Sequence, residues 1–384
     1  MPRCRSLGLY FDNWSHFESY LVYQASCLRA SRDALMKLFP RLKDPDVTIY
    51  FDGSGRMGLV ALRGVENFDS MGREAYLVSD GATPAPMKRD VYIAFSSSGE
   101  KKTIIADALI AKKHGLFTNA FTSYDDSPLA MSVDNRAKIS GRGLGEEEIK
   151  KLMGVHTPLL VLGSGPEVCS LALIDCLSYA VAQSSNPKQF VDNMDTALYE
   201  CIVHVGGVHM DLVRKPQQKI LKGFINDIAY DVKDVHFTGT KYSTIVGEMS
   251  GIRWLHGIHE RHVRRTKTID STNIPKYVSP STGLVAISAR GESDFTNAMV
   301  DKYQAARCKT FGLTMEKDST FARKIGPERL LVSPESPELP LNKDNPIDFS
   351  SVSTLITLDC ALMQVMNCLG RTEKQAALIH SPWT

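Results

Sequence analysis

The chain has 384 residues, 45 Lys and Arg against 43 Asp and Glu, 43% hydrophobic residues and 23% charged ones. That length suits two globular cores rather than one. A net charge of +2 argues against an extended nucleic-acid surface, and no apolar run is read as reaching the roughly 20 residues that a bilayer crossing needs. The start, MPRCRSLGLYFDNW, turns polar almost at once, so no secretory signal is expected. Eight cysteines without a C-x-x-C pair lie mostly in apolar runs such as CSLALIDC. They read as buried thiols of a reducing compartment, and the cytoplasm is the expected location.

In chain order, ESYLVYQASCLRASRDALMKLF predicts a helix, and VTIYFDGSGRMG a buried strand, a glycine turn and the start of a helix. DVYIAFSSSGEKKTIIADALIAKKHG predicts a strand, a serine loop, an amphipathic helix and a closing glycine. NAFTSYDDSPLA adds a strand and a polar turn, and PEVCSLALIDCLSYAV an apolar helix. The order then repeats. A helix around VRKPQQKILKGFINDIAY leads to DVHFTGTKYST, with Gly239 at the place of Gly53. GLVAISARGESDFTNAMVDKYQAARCKTFG and LTMEKDSTFA follow, and SSVSTLITLDCALMQVM closes the second copy, with Asp359 matching Asp175. Alternating strands and helices predict an α/β fold, with a parallel sheet flanked by helices in each half. The boundary is expected near residue 200, giving domains 1–200 and 201–384 that pack directly against each other.

Ligands of open α/β sheets bind where strands end and helices begin. Ser96, Ser97, Ser98 and Gly99 hold such a place, with Lys102 and Thr103 just beyond. A helix N-terminus favours an anion, serine hydroxyls add donors, and Gly99 lets the backbone approach. Plain N-capping by one serine is the competing reading. Gly53, Ser54 and Arg56 form the earlier turn and join the candidate set. That turn lacks the third glycine of a dinucleotide fingerprint.

GSGRMG, ATPAP, SSSGEK and SPLA, in that order, resemble the motifs of sugar isomerase (SIS) domains, and more narrowly those of 6-phospho-3-hexuloisomerase. The resemblance implies two SIS domains of flavodoxin-like, doubly wound type arranged as a pseudo-dimer, and an isomerase of an anionic sugar that needs no metal or cofactor. The family pattern opens its last long helix with a glutamate eight residues before an aspartate. Glu167 stands so before Asp175, whereas Ser351 stands before Asp359. Gly163 and Gly165 would leave room for a ligand there. An arginine and a histidine three apart follow the glycine turn in the family; only the second half has them, as Arg253 and His256. The family's tail histidine falls on His380, with Thr196 at that place in the first half.

These complementary losses imply one composite site. Glu167 would move the carbon-bound proton, His256 or His380 would assist ring opening or oxygen protonation, Arg253 would polarise a sugar oxygen, and the serine loop with Lys102 would hold the phosphate. A sulfonated sugar, an amino-sugar phosphate isomerase or deaminase, and a non-catalytic sugar-phosphate sensor stay open as alternatives. The resemblance further implies a homodimer of the two-domain chain, and the charge balance and hydropathy lead to no expected nucleic-acid or membrane partner. His256, His259 and His262 recur every three residues, but that spacing turns off one helix face, so no metal site is expected. Arg261, Arg264, Arg265 and Lys267 read as a solvated basic patch or the rim of an anion site.

Overall fold

The computed structural model describes residues 6–141, 164–258, 265–341 and 346–370. Two helices, α1 (Gly8–Ala30) and α2 (Arg32–Lys43), precede the first sheet. Tyr10, Trp14, Phe17, Leu21 and Leu28 recur at helical spacing on α1 and are all buried. There follow β1 (Ile49–Gly53), α3 (Arg56–Ser70), β2 (Ala75–Leu77), β3 (Val91–Phe95), α4 (Lys102–Lys113), β4 (Phe117–Thr122), α5 (Pro128–Ser132) and β5 (Asn135–Lys138). Every pairing is parallel and the strand order is β2-β1-β3-β4-β5.

Among the described residues, three helices lead to the second sheet: α6 (Ser164–Gln183), α7 (Pro187–Leu212) and α8 (Lys215–Asn226), the last running into a π-turn at Asp227–Asp231. Next come β6 (Asp234–Thr238), α9 (Tyr242–Ile258), β7 (Arg265–Ile269), β8 (Thr282–Ile287), α10 (Asp294–Ala305), β9 (Lys309–Thr314), α11 (Thr320–Ile325) and β10 (Leu330–Val332), with α12 (Ser350–Cys368) last. Read from β7, the sheet runs β7-β6-β8-β9-β10, again all parallel and in the order of the first. The repeat is thus a repeat of topology. In both sheets the order reverses between the first and third strands, and the loops beyond that reversal are where a doubly wound sheet binds its ligand.

Each sheet has its own outer layer. Tyr92, Ala94, Ile104 and Ala108 pack beneath α4, and Leu284, Ala286, Val300 and Tyr303 beneath α10. The inner layer is common: one continuous core joins α1, α6, α7 and α12 with the inner faces of both sheets. Residue 200 lies inside α7, which packs on α1, α2 and α6, so the chain passes between sheets along a helix rather than through a linker. One reading of the sequence needs correction. Among the described residues α6 is long and apolar enough to cross a membrane, but it is sheathed by α1, α3, α7 and α12. A helix surrounded by protein is apolar on most sides, and its two carboxylates, Glu167 and Asp175, are both held by arginines. Six of the seven described cysteines are buried and none is bonded to another. Burial pushes the thiols of Cys169, Cys176, Cys201 and Cys360 up in pKa, away from thiolate chemistry.

Candidate active site

Two glycine-dependent turns shape the carboxyl end of the first sheet. At Gly53 a Cβ would lie 2.4 Å from the Met57 carbonyl oxygen, so only glycine lets α3 start so close to β1. Gly99 has φ +65° and would place a Cβ 2.2 Å from Ser127 Oγ. Between β3 and α4 the serine loop is pinned by its backbone. Ser96 N donates to the Phe121 carbonyl, Ser123 N to that of Ser97, and Thr122 Oγ1 also to that of Ser97 at 3.2 Å. Capping does not account for the serines, because α4 begins with Lys101 in the cap position and no side chain on its first-turn N–H groups. Ser97 Oγ lies 3.3 Å from Ser123 Oγ and Ser98 Oγ accepts from Glu100 N at 3.3 Å, and all three serines line the cleft beside the helix end.

That cleft has a volume of about 340 Å³ and runs from the serine loop to the face of α9. Ser54, Arg56, Ser96, Ser97, Ser98, Glu167, Arg253 and His256 line it, so the structure brings residues of both halves together. Arg253 and His256 lie one turn apart on α9 and share a face. Lys102 and Thr103 are exposed and point elsewhere; Lys101, the cap residue, faces the cleft instead. Gly53 and Gly99 shape the turns rather than the lining. Gly165 makes room for Tyr20, not for a ligand: a Cβ there would lie 2.7 Å from the tyrosine ring. Gly163, His259, Arg261, His262, Arg264 and His380 lie outside the described residues.

The far wall is a buried ionic network of two residues from each half. Arg56 Nη1 donates to Glu167 Oε2 at 2.8 Å and Nη2 to Asp359 Oδ2 at 2.9 Å. Arg253 Nη2 donates to the same Glu167 oxygen. The side chains of Arg56, Arg253 and Asp359 are 2–3% exposed and that of Glu167 18%, so the glutamate is the most exposed member of the network. Burial works against both guanidinium charges. For Arg56 the two carboxylates outweigh it and the pKa rises; for Arg253 burial prevails and the pKa falls. Both terminal nitrogens of Arg56, expected from its turn as a phosphate ligand, donate to carboxylates, while the residue also lines the cleft. Sequence reasoning missed Asp359 and Lys101 as site residues. The signal for Asp359 was there: an ionisable residue inside an otherwise apolar helix calls for a buried partner.

The corresponding region of the second half keeps the backbone turn and carries different side chains. Gly291, at φ +72°, would place a Cβ 2.0 Å from Ser319 Oγ, the same close turn as Gly99 against Ser127. Its loop reads Ser288-Ala289-Arg290, Arg290 pairs with Glu338 at 3.1 Å, and Ser293 caps α10. Tyr242 stands where Arg56 does, Ser351 for Glu167, Asn67 for Arg253 and Ser70 for His256. Asp175, the counterpart of Asp359, binds Arg63 of its own half at 2.7 and 3.2 Å and Asn67 at 2.9 Å. The Arg63 guanidinium lies over the Tyr242 ring. The cavity left beside Ser351 is about 30 Å³.

No family model matches the chain. Among curated proteins it is 29% identical over 133 residues to an uncharacterised protein of Aeropyrum pernix, covering 34% of this chain and 63% of that one. It is 34% identical over 86 residues to 3-hexulose-6-phosphate isomerase of Mycobacterium gastri, covering 22% of this chain and 43% of that enzyme. The matched segments thus span less than two thirds of either relative. Among solved structures, tagatose-6-phosphate ketose/aldose isomerase of Escherichia coli superimposes with a TM-score of 0.63 at 14% identity, over 100% of this chain and 99% of that one. The C-terminal domain of glucosamine-fructose-6-phosphate aminotransferase of Francisella tularensis gives 0.63 at 12% identity, over 93% and 97%. The likeness runs across both sheets. The fold is the one seen in these phosphosugar isomerase and aminotransferase structures, and the chain builds it from two parallel five-stranded sheets flanked by helices, one in each half.

Proposed function

We propose that the protein isomerises a phosphorylated sugar in the cleft between its halves, with Glu167 carrying a proton between neighbouring carbons. The observation that carries this reading is the cleft itself: an uncapped helix end with serine hydroxyls at one side, and at the other a carboxylate held by arginines from both halves. The phosphate would lie on the Ser96–Ser98 loop, where α4 offers unpaired N–H groups and Lys101 a positive charge. The open-chain sugar would then extend toward Glu167.

Glu167 removes the proton from the carbon beside the carbonyl, and the electron pair moves onto the carbonyl oxygen as an enediolate forms. Arg253, at the same wall, stabilises that oxygen's developing charge. His256 moves the proton between the two sugar oxygens, and Glu167 returns its proton to the neighbouring carbon. His380 is the second candidate for oxygen and ring-opening chemistry. The named isomerases among the similar proteins support this class of substrate.

The test is turnover of a panel of hexose and hexulose phosphates, with sulfonated and amino-sugar analogues alongside, in deuterated water. Deuterium entering a sugar carbon, lost in Glu167→Gln, is the expected result. Saturable binding to both proteins without turnover would make the chain a sensor.

A further inference from the structure

We infer that Asp359 is a positioning residue of the first site: through Arg56 it sets the orientation and basicity of Glu167. The inference rests on the isomerase reading above. A carboxylate that accepts from two guanidinium groups is stabilised as an anion and weakened as a base. Asp359 draws on the same charge from the other side, since Arg56 gives one terminal nitrogen to each carboxylate. The network then holds two cations and two anions in a buried place. Asp359 also fixes the guanidinium, and a fixed guanidinium fixes the Glu167 oxygen that it holds.

The placement of Asp359 is built rather than incidental. Trp254, next to Arg253, donates Nε1 to the carbonyl of Leu358, next to Asp359, at 3.1 Å. One hydrogen bond therefore sets the register of α9 on α12 at the level of the site. One turn on, Gly257 lets Leu362 come close, where a Cβ would lie 2.8 Å from it. The matched aspartate supplies the contrast. Asp175 is engaged by Arg63 of its own half, because Tyr242 occupies the place of Arg56. An aspartate reaches across the halves only where the glutamate remains.

Asp359→Asn keeps the size and an oxygen for Arg56 but removes the charge; Asp175→Asn makes the same change in the second site. Among the described residues, the charged groups facing Glu167 include Arg56 from α3, Arg253 and His256 from α9, Lys101 from the loop before α4 and, through Arg56, Asp359 from α12. Losing the aspartate leaves the Arg56 charge undivided, which favours the Glu167 anion. The titration midpoint of the Glu167 carboxyl carbon, followed by NMR and assigned with Glu167→Gln, should fall by about one unit in Asp359→Asn and stay in Asp175→Asn. On the sugar phosphate that is turned over, kcat should fall about 10- to 100-fold with KM within about 2-fold. An unmoved midpoint, or equal losses of kcat in the two variants, would overturn the inference. Should the wild-type protein turn over no sugar phosphate, the isomerase reading fails, and the titration still decides the role of Asp359.

Discussion

The two halves share strand order, glycine turns and a buried aspartate, yet among the described residues they line their clefts differently: serines and the Glu167 network in one, and Arg290, Glu292, Glu316, Asp318, Glu335 and Glu338 in the other. In the first region Arg56, Glu167, Arg253 and Asp359 form a network at the wall of a cavity of about 340 Å³. In the second, Tyr242, Asn67, Arg63 and Asp175 close on one another, and the space beside Ser351 is about 30 Å³. The difference teaches that backbone and chemistry are separable in this fold. Gly99 and Gly291 hold nearly the same turn, but only one turn carries the hydroxyls and the uncapped helix.

That comparison can be broken at four points, beyond the Asp359 test. The largest effect is expected from Glu167→Gln, which should lower kcat about 1,000-fold while sugar-phosphate binding persists, measured by turnover and calorimetry. The mirror change, Ser351→Ala, belongs at the other end of the scale.

Asp52 comes next. Burial raises its pKa to about 6, against the hydrogen bond from Tyr92 at 2.6 Å. Because its folded pKa lies above the unfolded value of 3.8, its contribution to stability is intact below about pH 4 and is lost as pH rises through about 6. Asp52→Asn should flatten that decline by about 2 kcal/mol in denaturation curves between pH 4 and 8. The second sheet has Thr238 in this place, whose hydroxyl donates to the Ile269 carbonyl and does not titrate.

Gly99→Ala and Gly291→Ala make a matched pair. Each forces a Cβ into a serine at positive φ, so each should cost about 1–3 kcal/mol of stability by thermal unfolding. Only Gly99→Ala should also weaken sugar-phosphate binding, by about 10-fold. Ser351→Ala should leave both turnover and binding within about 2-fold, because its cavity holds no titrating group in line with a substrate. Activity lost there would mean that the second region is a working site.

Much of the fold was legible because its signals are local. Positive φ and close approach at Gly99 and Gly291 demand glycine, and apolar runs mark strands buried on both faces. The helices α6 and α12 could be paired by their aspartates before any contact was known. Candidate site residues were legible where a residue type survives in one copy only, as with Glu167 and with Arg253 and His256. What could not be read depends on tertiary placement. Arg56 and Asp359 are 303 positions apart, and nothing in either segment names the other. Lys101 and Lys102 differ by one helical step, and the start of a helix is uncertain by that much. Gly165 reads as open space until Tyr20 of α1 fills it.

The shared inner core has a further consequence for how such a site can change. In a twofold assembly of identical chains every substitution enters both sites at once, so neither can lose its base while the other keeps it. Here Asn67 and Arg253, or Glu167 and Ser351, are separate letters of one chain, and each site can drift alone. The same core that prevents the halves from parting therefore lets the side chains of one cleft change, at no loss to that half's work as the wall of the other.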